Sequence, residues 1–186
     1  MQTLVGLWLP ILVSSVLVFV ASSIIWNVLG AHKWHIRLLP DEAAARVELS
    51  RQNLAPGMYA IPYAAGSGAM KDPAFQKKLV DGPVAVLTVR PSGLPNMGSF
   101  LGCWFLYLLF VSYAAAFVCG QTLPRGEASL LVFKIATAVA FAGYSFAQIP
   151  GAIWWGRPWK SAFKEVADGL VYALLTGGAF AWLWPR

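Results

Sequence analysis

His32 and His35 stand three residues apart in the stretch AHKWHIR. If that stretch is helical, both imidazoles share one side and could hold a metal ion together. Asp41 and Glu42 are the possible additional ligands, and no third ligand stands out. The pair is a weak metal candidate, and two solvated histidines beside an apolar run explain it as well. Asp168 is a sharper case. It opens a long apolar stretch, and an ionisable group at membrane depth is a candidate for handling protons or substrate. Lys164 lies four residues earlier on the same helical face, and Arg157 precedes both. A paired acid at a membrane boundary is therefore the plainer reading of Asp168. Lys134 sits a few residues inside another apolar run, where a lysine reaches back to the interface and Glu127 is a nearby partner. No second intramembrane charge accompanies it, which argues against a pump.

No catalytic set, cofactor fingerprint or metal cluster is recognisable beyond these residues. The stretch AAGSGA at 64–69 lacks the spacing of a phosphate-binding loop, and no Lys-Ser/Thr pair follows it. Cys103 and Cys119 occupy one apolar run, sixteen residues apart. On a helix that is about 24 Å, far beyond disulfide reach. Both read as small buried residues. No cofactor is expected.

The elements that must position these residues are apolar. The chain is 58% hydrophobic and 12% charged, with nine tryptophans in 186 residues. Soluble domains carry about 25% charged residues, so lipid must solvate part of this surface. Runs at about 4–29, 97–119, 130–153 and 166–184 each approach the roughly 20 residues that cross a bilayer core. Residues 2–31 contain no Lys or Arg, so the first run reads as a retained helix rather than a signal peptide. Pro10 is placed to kink it. The fourth run is the shortest.

Charge sets the expected orientation. Eight Lys/Arg fall between runs one and two, and Arg157, Lys160 and Lys164 fall between runs three and four. The other side holds Arg125, Lys134 and Arg186. Eleven against three places the insert in the cytoplasm and both termini outside. The net charge of +6 follows this topology, and no basic stripe with interleaved aromatics points to nucleic acid. Trp26, Trp34, Trp154, Trp155, Trp159, Trp182 and Trp184 fall near run ends, where interfacial belts form.

The fold class is an all-α membrane protein: a bundle of four transmembrane helices with a small α+β cytoplasmic insert between helices 1 and 2. Residues 1–29 form helix 1, 30–96 the insert, and 97–186 helices 2 to 4. In the insert, Pro40, Asp41 and Glu42 open a helix over 40–53, and Asp72 with Pro73 opens another. Short strands are expected at 58–61 and 84–89. A two-stranded element is marginal alone, so the insert must lean on the helices or on a partner.

Several stretches occur in a familiar order. They are His32-Lys33, LPDE at 39–42, Tyr59, GPVAVLTVRPSG at 82–93, NMG at 96–98, WFLY at 104–107, VS at 111–112 and DGLVYALLT at 168–176. Together they make nearly the whole chain similar to a family of small, functionally uncharacterised bacterial inner-membrane proteins. The resemblance implies a bacterial cytoplasmic membrane and four spans. It assigns no activity and no functional residue.

Gly169, Ala173, Gly177 and Ala181 recur at intervals of four and form one small-residue face, which lets another helix approach closely. Gly143, Ala147 and Gly151 make a looser version. Packing within the chain, a second copy or a membrane protein partner are the three ways to fill that face. The leading functional reading is a non-enzymatic structural, assembly or accessory subunit in a lipid bilayer. The alternatives are a small permease-like transporter and a lipid-modifying enzyme with its site at the inner interface.

The orientation is testable. With Cys103 and Cys119 replaced, a Ser67→Cys variant should resist impermeant thiol reagents in intact cells and label after permeabilisation. Labelling in intact cells would reverse the topology.

Overall fold

A computed structural model of the protein describes residues 4–29 and 36–186. The chain divides into two units, one built from the long helices and the other comprising Ile36–Pro95. His32 and His35 lie outside the described residues.

The first unit contains α1 (Trp8–Ser23), which a 3-10 turn at Leu4–Leu7 precedes and a π-helical turn at Ile24–Val28 extends. Pro10 sits in the first turn of α1, next to the change from 3-10 to α geometry. Proline cannot donate to the carbonyl four residues back, and here that carbonyl lies in the 3-10 turn.

In Ile36–Pro95, α2 is Glu42–Arg51, β1 is Gly57–Ile61, α3 is Pro73–Asp81 and β2 is Ala85–Val89. The Asp41 carboxylate accepts from Ala44 N–H at 2.9 Å, and the Asp72 carboxylate from Ala74 N–H at 2.9 Å. Pro73 fills the first helical position, where a missing N–H costs nothing. β1 and β2 pair antiparallel, with Tyr59 opposite Leu87. Phe75 is the buried hydrophobic side chain of this unit among the described residues.

The remaining helices are α4 (Met97–Thr122), α5 (Ser129–Ser145), α6 (Gln148–Trp155) and α7 (Trp159–Leu183). Four helical stretches are long and apolar enough to cross a membrane: Trp8–Val28, Met97–Thr122, Ser129–Trp155 and Trp159–Leu183. The fourth is a full 25 residues and begins well before the apolar run at 166. Its early turns are polar, and ion pairs hold them in helical register. The third is interrupted at Phe146–Ala147. Pro150 explains the break: it has no N–H for the Phe146 carbonyl, and its ring crowds that oxygen.

The long helices form a ring in chain order. α4 packs beside α1, α5 beside α4, and α7 against both α5 and α1. The interior is built from small side chains and hydroxyls. Ala115, Ala116, Ala136, Ala140 and Ala173 are buried, as are Ser14, Ser15 and Ser112. The Ser14 and Ser15 hydroxyls lie 2.9 and 3.2 Å from Ser112 Oγ. Large apolar groups such as Leu106, Phe110, Phe117 and Leu130 are exposed instead. A surface of that kind suits lipid better than water.

α5 and α7 make the closest contact. A Cβ on Gly177 would lie 2.9 Å from the Phe133 carbonyl oxygen and collide with Thr137 Oγ1. A Cβ on Gly169 would collide with Ser145 Oγ and lie 3.3 Å from the Tyr144 backbone. Eight residues forward on α7 match eight residues back on α5, so the two helices run antiparallel in near contact over two turns. Ala173 lies between them, fully buried, and Ala181 is half-buried. The looser series on α5 and α6 forms no such face. Gly143 faces Val111, Gly151 faces Arg157, and Ala147 is exposed at the break.

The far end of α7 is tied down. Trp184 is buried, and its indole N–H donates to the Pro124 carbonyl at 3.0 Å. Gly126 N–H donates to the Pro185 carbonyl at 3.0 Å. Trp184 is therefore a latch, not a belt residue, whereas Trp182 is exposed. Of the two cysteines, Cys119 is buried and Cys103 is exposed.

Gly177→Ala should destabilise the bundle by about 1–3 kcal/mol, as overpacking does. Gly178 has nothing within 4 Å of a Cβ position. Gly178→Ala should be neutral or stabilising by up to about 1 kcal/mol, because alanine favours the helix. Unfolding in mixed micelles compares the two, and equal midpoints would remove the α5–α7 contact as the tight interface.

Candidate functional site

An open cleft of about 590 Å³ lies at the end of the bundle where α1 finishes and α4 starts. Helical spacing places its walls. On α4, Phe100, Cys103, Trp104 and Tyr107 recur at three- and four-residue intervals and line one side. On α7, Glu165, Asp168 and Tyr172 do the same. Tyr144 comes from the last turn of α5, Gln148 from the start of α6, and Trp26 from the π-helical turn.

The aromatic side chains form a closed circuit. Trp104 stacks on Tyr107 with centroids 5.5 Å apart. Tyr107 meets Tyr144 at 6.2 Å, Tyr144 meets Tyr172 at 5.8 Å, and Tyr172 returns to Trp104 at 6.4 Å, each edge to face. Two rings are fixed by hydrogen bonds. Trp104 Nε1–H donates to Ser22 Oγ at 3.0 Å, and the Tyr107 hydroxyl to the Gly143 carbonyl at 2.6 Å. The buried Tyr144 hydroxyl faces Ser112 and Thr176, and the Tyr172 hydroxyl faces Trp26 and Asp168. Neither hydroxyl meets these neighbours in full hydrogen-bond geometry among the described residues.

Two ion pairs stand beside the rings. Lys164 Nζ contacts Asp168 Oδ1 across one helical turn. Arg157 contacts Glu165 and also donates to Gln148 Oε1 at 2.9 Å. The chain between α6 and α7 explains the second pair. Gly156 adopts a left-handed conformation with φ +66°, which reverses the chain after α6. Arg157 N–H then donates to the Gly151 carbonyl at 3.3 Å, and the Arg157 stem lies over Gly151, where a Cβ would be 3.0 Å from Cδ. From there the guanidinium spans α6 and α7.

The structure brings Asp168 and Lys164 together, whereas Arg157 engages Glu165. The Asp168 side chain is only 8% exposed, so protein encloses most of it. Lys134 is exposed, and the Glu127 carboxylate turns onto Ala128 N–H at 2.8 Å. Trp154, Trp155 and Trp159 are exposed and do not line the cleft. Among the described residues, no group of three or more His, Cys, Asp or Glu is placed to hold a metal ion.

Sequence reasoning missed Trp104, Tyr107, Tyr144, Gln148, Glu165 and Tyr172 as a group. The signal was present in part. Aromatic and polar residues recur at helical spacing on α4 and on α7, but each series reads alone as an ordinary packing stripe. In comparisons with known proteins, no family model, no curated protein and no solved structure matches this chain.

Lys164 and Asp168 should behave as one energetic unit. Lys164→Gln and Asp168→Asn should each cost on the order of 1–3 kcal/mol, because a largely enclosed partner loses its counterpart. The double variant should be more stable than the sum of the two losses, with a coupling of about 0.5–3 kcal/mol. Additive losses in an unfolding titration would mean that the pair contributes nothing as a pair.

Proposed function

We propose that this chain is a multi-pass protein of a bacterial cytoplasmic membrane, with both termini external, that acts as a non-enzymatic accessory subunit. Its working part is the aromatic cleft, which holds a small amphipathic molecule at the inner end of the helix bundle. The cleft itself carries this reading. About 590 Å³ lined by aromatic rings with a few polar groups is the usual make-up of a small-molecule site. The exposed apolar surface of the long helices supports membrane placement. The uneven division of Lys and Arg supports the orientation. A non-enzymatic role is favoured because the charged groups at the cleft neutralise one another in pairs.

A second reading, a small transporter, is favoured by one observation. The α5–α6 break lies beside the enclosed Asp168, and interrupted helices often border substrate sites in transporters.

Purification in polymer-bounded native lipid discs, followed by mass spectrometry of extracted small molecules, tests the proposal. A molecule should co-purify with the natural protein and with Trp182→Ala, whose side chain is exposed and remote from the cleft. It should be depleted about tenfold in Trp104→Leu, the equivalent of about 1.4 kcal/mol. Identical extracts from all three folded proteins would defeat it.

A further inference from the structure

We infer that the cleft and a groove beside it together hold one uncharged lipid, with a flat oxygen-bearing ring as its head and an apolar chain as its tail. This inference rests on the reading of the cleft as a ligand site and names the ligand's chemistry.

The charge follows from how the ionised groups at the cleft are used. Lys164 pairs with Asp168, and Arg157 pairs with Glu165. Both acids have a further interaction besides. Two cations and two carboxylates therefore cancel, and none is left over for a ligand. A cationic ligand would have to displace Lys164 or Arg157, and an anionic one would have to displace a carboxylate. Either exchange leaves a former partner without its counter-charge, which is costly where a pair is largely enclosed.

The head follows from the wall. Trp104, Tyr107, Tyr144 and Tyr172 form a circuit of rings there, and Phe100 extends it. A flat conjugated head gains stacked and edge-to-face contacts that a saturated ring does not. Gln148 also lines the cleft, and Arg157 donates to its Oε1 at 2.9 Å. With that oxygen engaged, the amide nitrogen is the open end, a neutral donor suited to an oxygen on the ring.

The tail follows from a second space. A groove of about 300 Å³ is lined by Ser22, Ser23, Trp26 and Asn27 at the end of the first long helix, and by Leu101 and Trp104 of α4. Trp26 and Trp104 line both spaces, so one molecule can run from the cleft into the groove along these two rings. The groove's polar groups are already bonded. Trp104 Nε1–H donates to Ser22 Oγ at 3.0 Å, and the Ser22 and Ser23 hydroxyls each donate to the Phe19 carbonyl at 2.9 Å. Asn27 Nδ2 donates to the Ser23 carbonyl at 3.1 Å. Such a groove favours an apolar chain over a polar group that would lose its own hydration. Trp26 itself belongs to the π-helical turn at Ile24–Val28. Turns of that kind are rare and recur at functional sites.

The test uses the full chain in nanodiscs of phosphatidylglycerol and follows the reaction of Cys103 with N-ethylmaleimide. Cys103 lines the cleft and is exposed, whereas Cys119 is fully buried and stays unlabelled while the fold holds. The probe is para-octylacetophenone, an uncharged aryl ketone with a chain. Its comparators, at equal mole fraction in the disc, are anionic para-octylbenzoate, cationic trimethyl(para-octylphenyl)ammonium and the cyclohexyl analogue of the probe. The probe should slow labelling about tenfold more than any of them. The short ketone para-methylacetophenone keeps the head without the chain and should protect far less. Leu101 lines the groove and not the cleft, and it is half exposed, so Leu101→Trp fills the groove alone. That variant should reduce protection by the probe to the level of the short ketone. Should it label at Cys119 and so prove misfolded, Ser23→Leu serves instead, because Ser23 also lines only the groove.

Equal protection by the probe and either charged comparator, or by the cyclohexyl analogue, would overturn the inference and leave the cleft as a ligand site. So would equal protection by the short ketone, or unchanged protection in the groove variant, since the ligand would then end at the cleft. A Cys103 that stays unreactive without any probe would close the cleft and overturn both the inference and the reading beneath it. No protection by any probe, together with identical extracts from the natural protein and Trp104→Leu, would do the same.

Discussion

At Gly177 the backbone of α7 lies so near α5 that a single methyl group has no room, and the same is true two turns away at Gly169. Contact of this kind is how apolar helices associate when their outer surfaces gain little by leaving lipid. Dispersion between closely approached backbones replaces the hydrophobic drive of a water-soluble core. The rest of the ring follows from it. With α5 and α7 locked, α1 and α4 complete the bundle by packing side chains such as Val18, Leu108 and Val111 against that pair. The serine trio of Ser14, Ser15 and Ser112 then satisfies its hydroxyls between α1 and α4.

The cleft is a product of the same lock. Gly169 adjoins Asp168 in sequence and lies against Ser145, the neighbour of Tyr144. The helix contact therefore sets the spacing between Tyr144 and Tyr172 and fixes the height at which Asp168 enters the bundle. Where α5 ends and turns into α6, the helices can no longer follow each other, and space opens. Arg157 bridges that divergence by joining Gln148 of α6 to Glu165 of α7. A packing contact, a proline break and a glycine turn thus build one wall of the site before any ligand is considered.

Local features were legible in the residues and cooperative ones were not. The apolar runs of the long helices, the Asp72–Pro73 helix start and the strand pair each depend on near neighbours, and each could be read directly. The start of α7 could not. Trp159–Glu165 looks like a polar connection until Arg157 and Lys164 are seen to close ion pairs around it. Pro150 hides in an unbroken apolar stretch, because hydropathy is blind to a missing N–H. Trp184 resembles a belt residue because only the α4–α5 connection reveals its acceptor. The cleft needed the rotational phase of several helices at once, and a small-residue series on α7 says that something approaches without saying what. The roles of Asp168, Lys164 and Arg157 are likewise a matter of which partner each reaches, which spacing along one helix does not decide.

The latch at Trp184 and Pro185 has a mechanical consequence. It joins the end of α7 to the connection between α4 and α5, so the bundle is stapled at the end opposite the cleft. A helix of 25 residues is about 37 Å long. Gly169, fifteen residues before Trp184 and about 22 Å away along the axis, is held against Ser145. α7 is thus a beam supported at two separated points rather than at one, and the turns that carry Glu165 and Asp168 stand beside the second support.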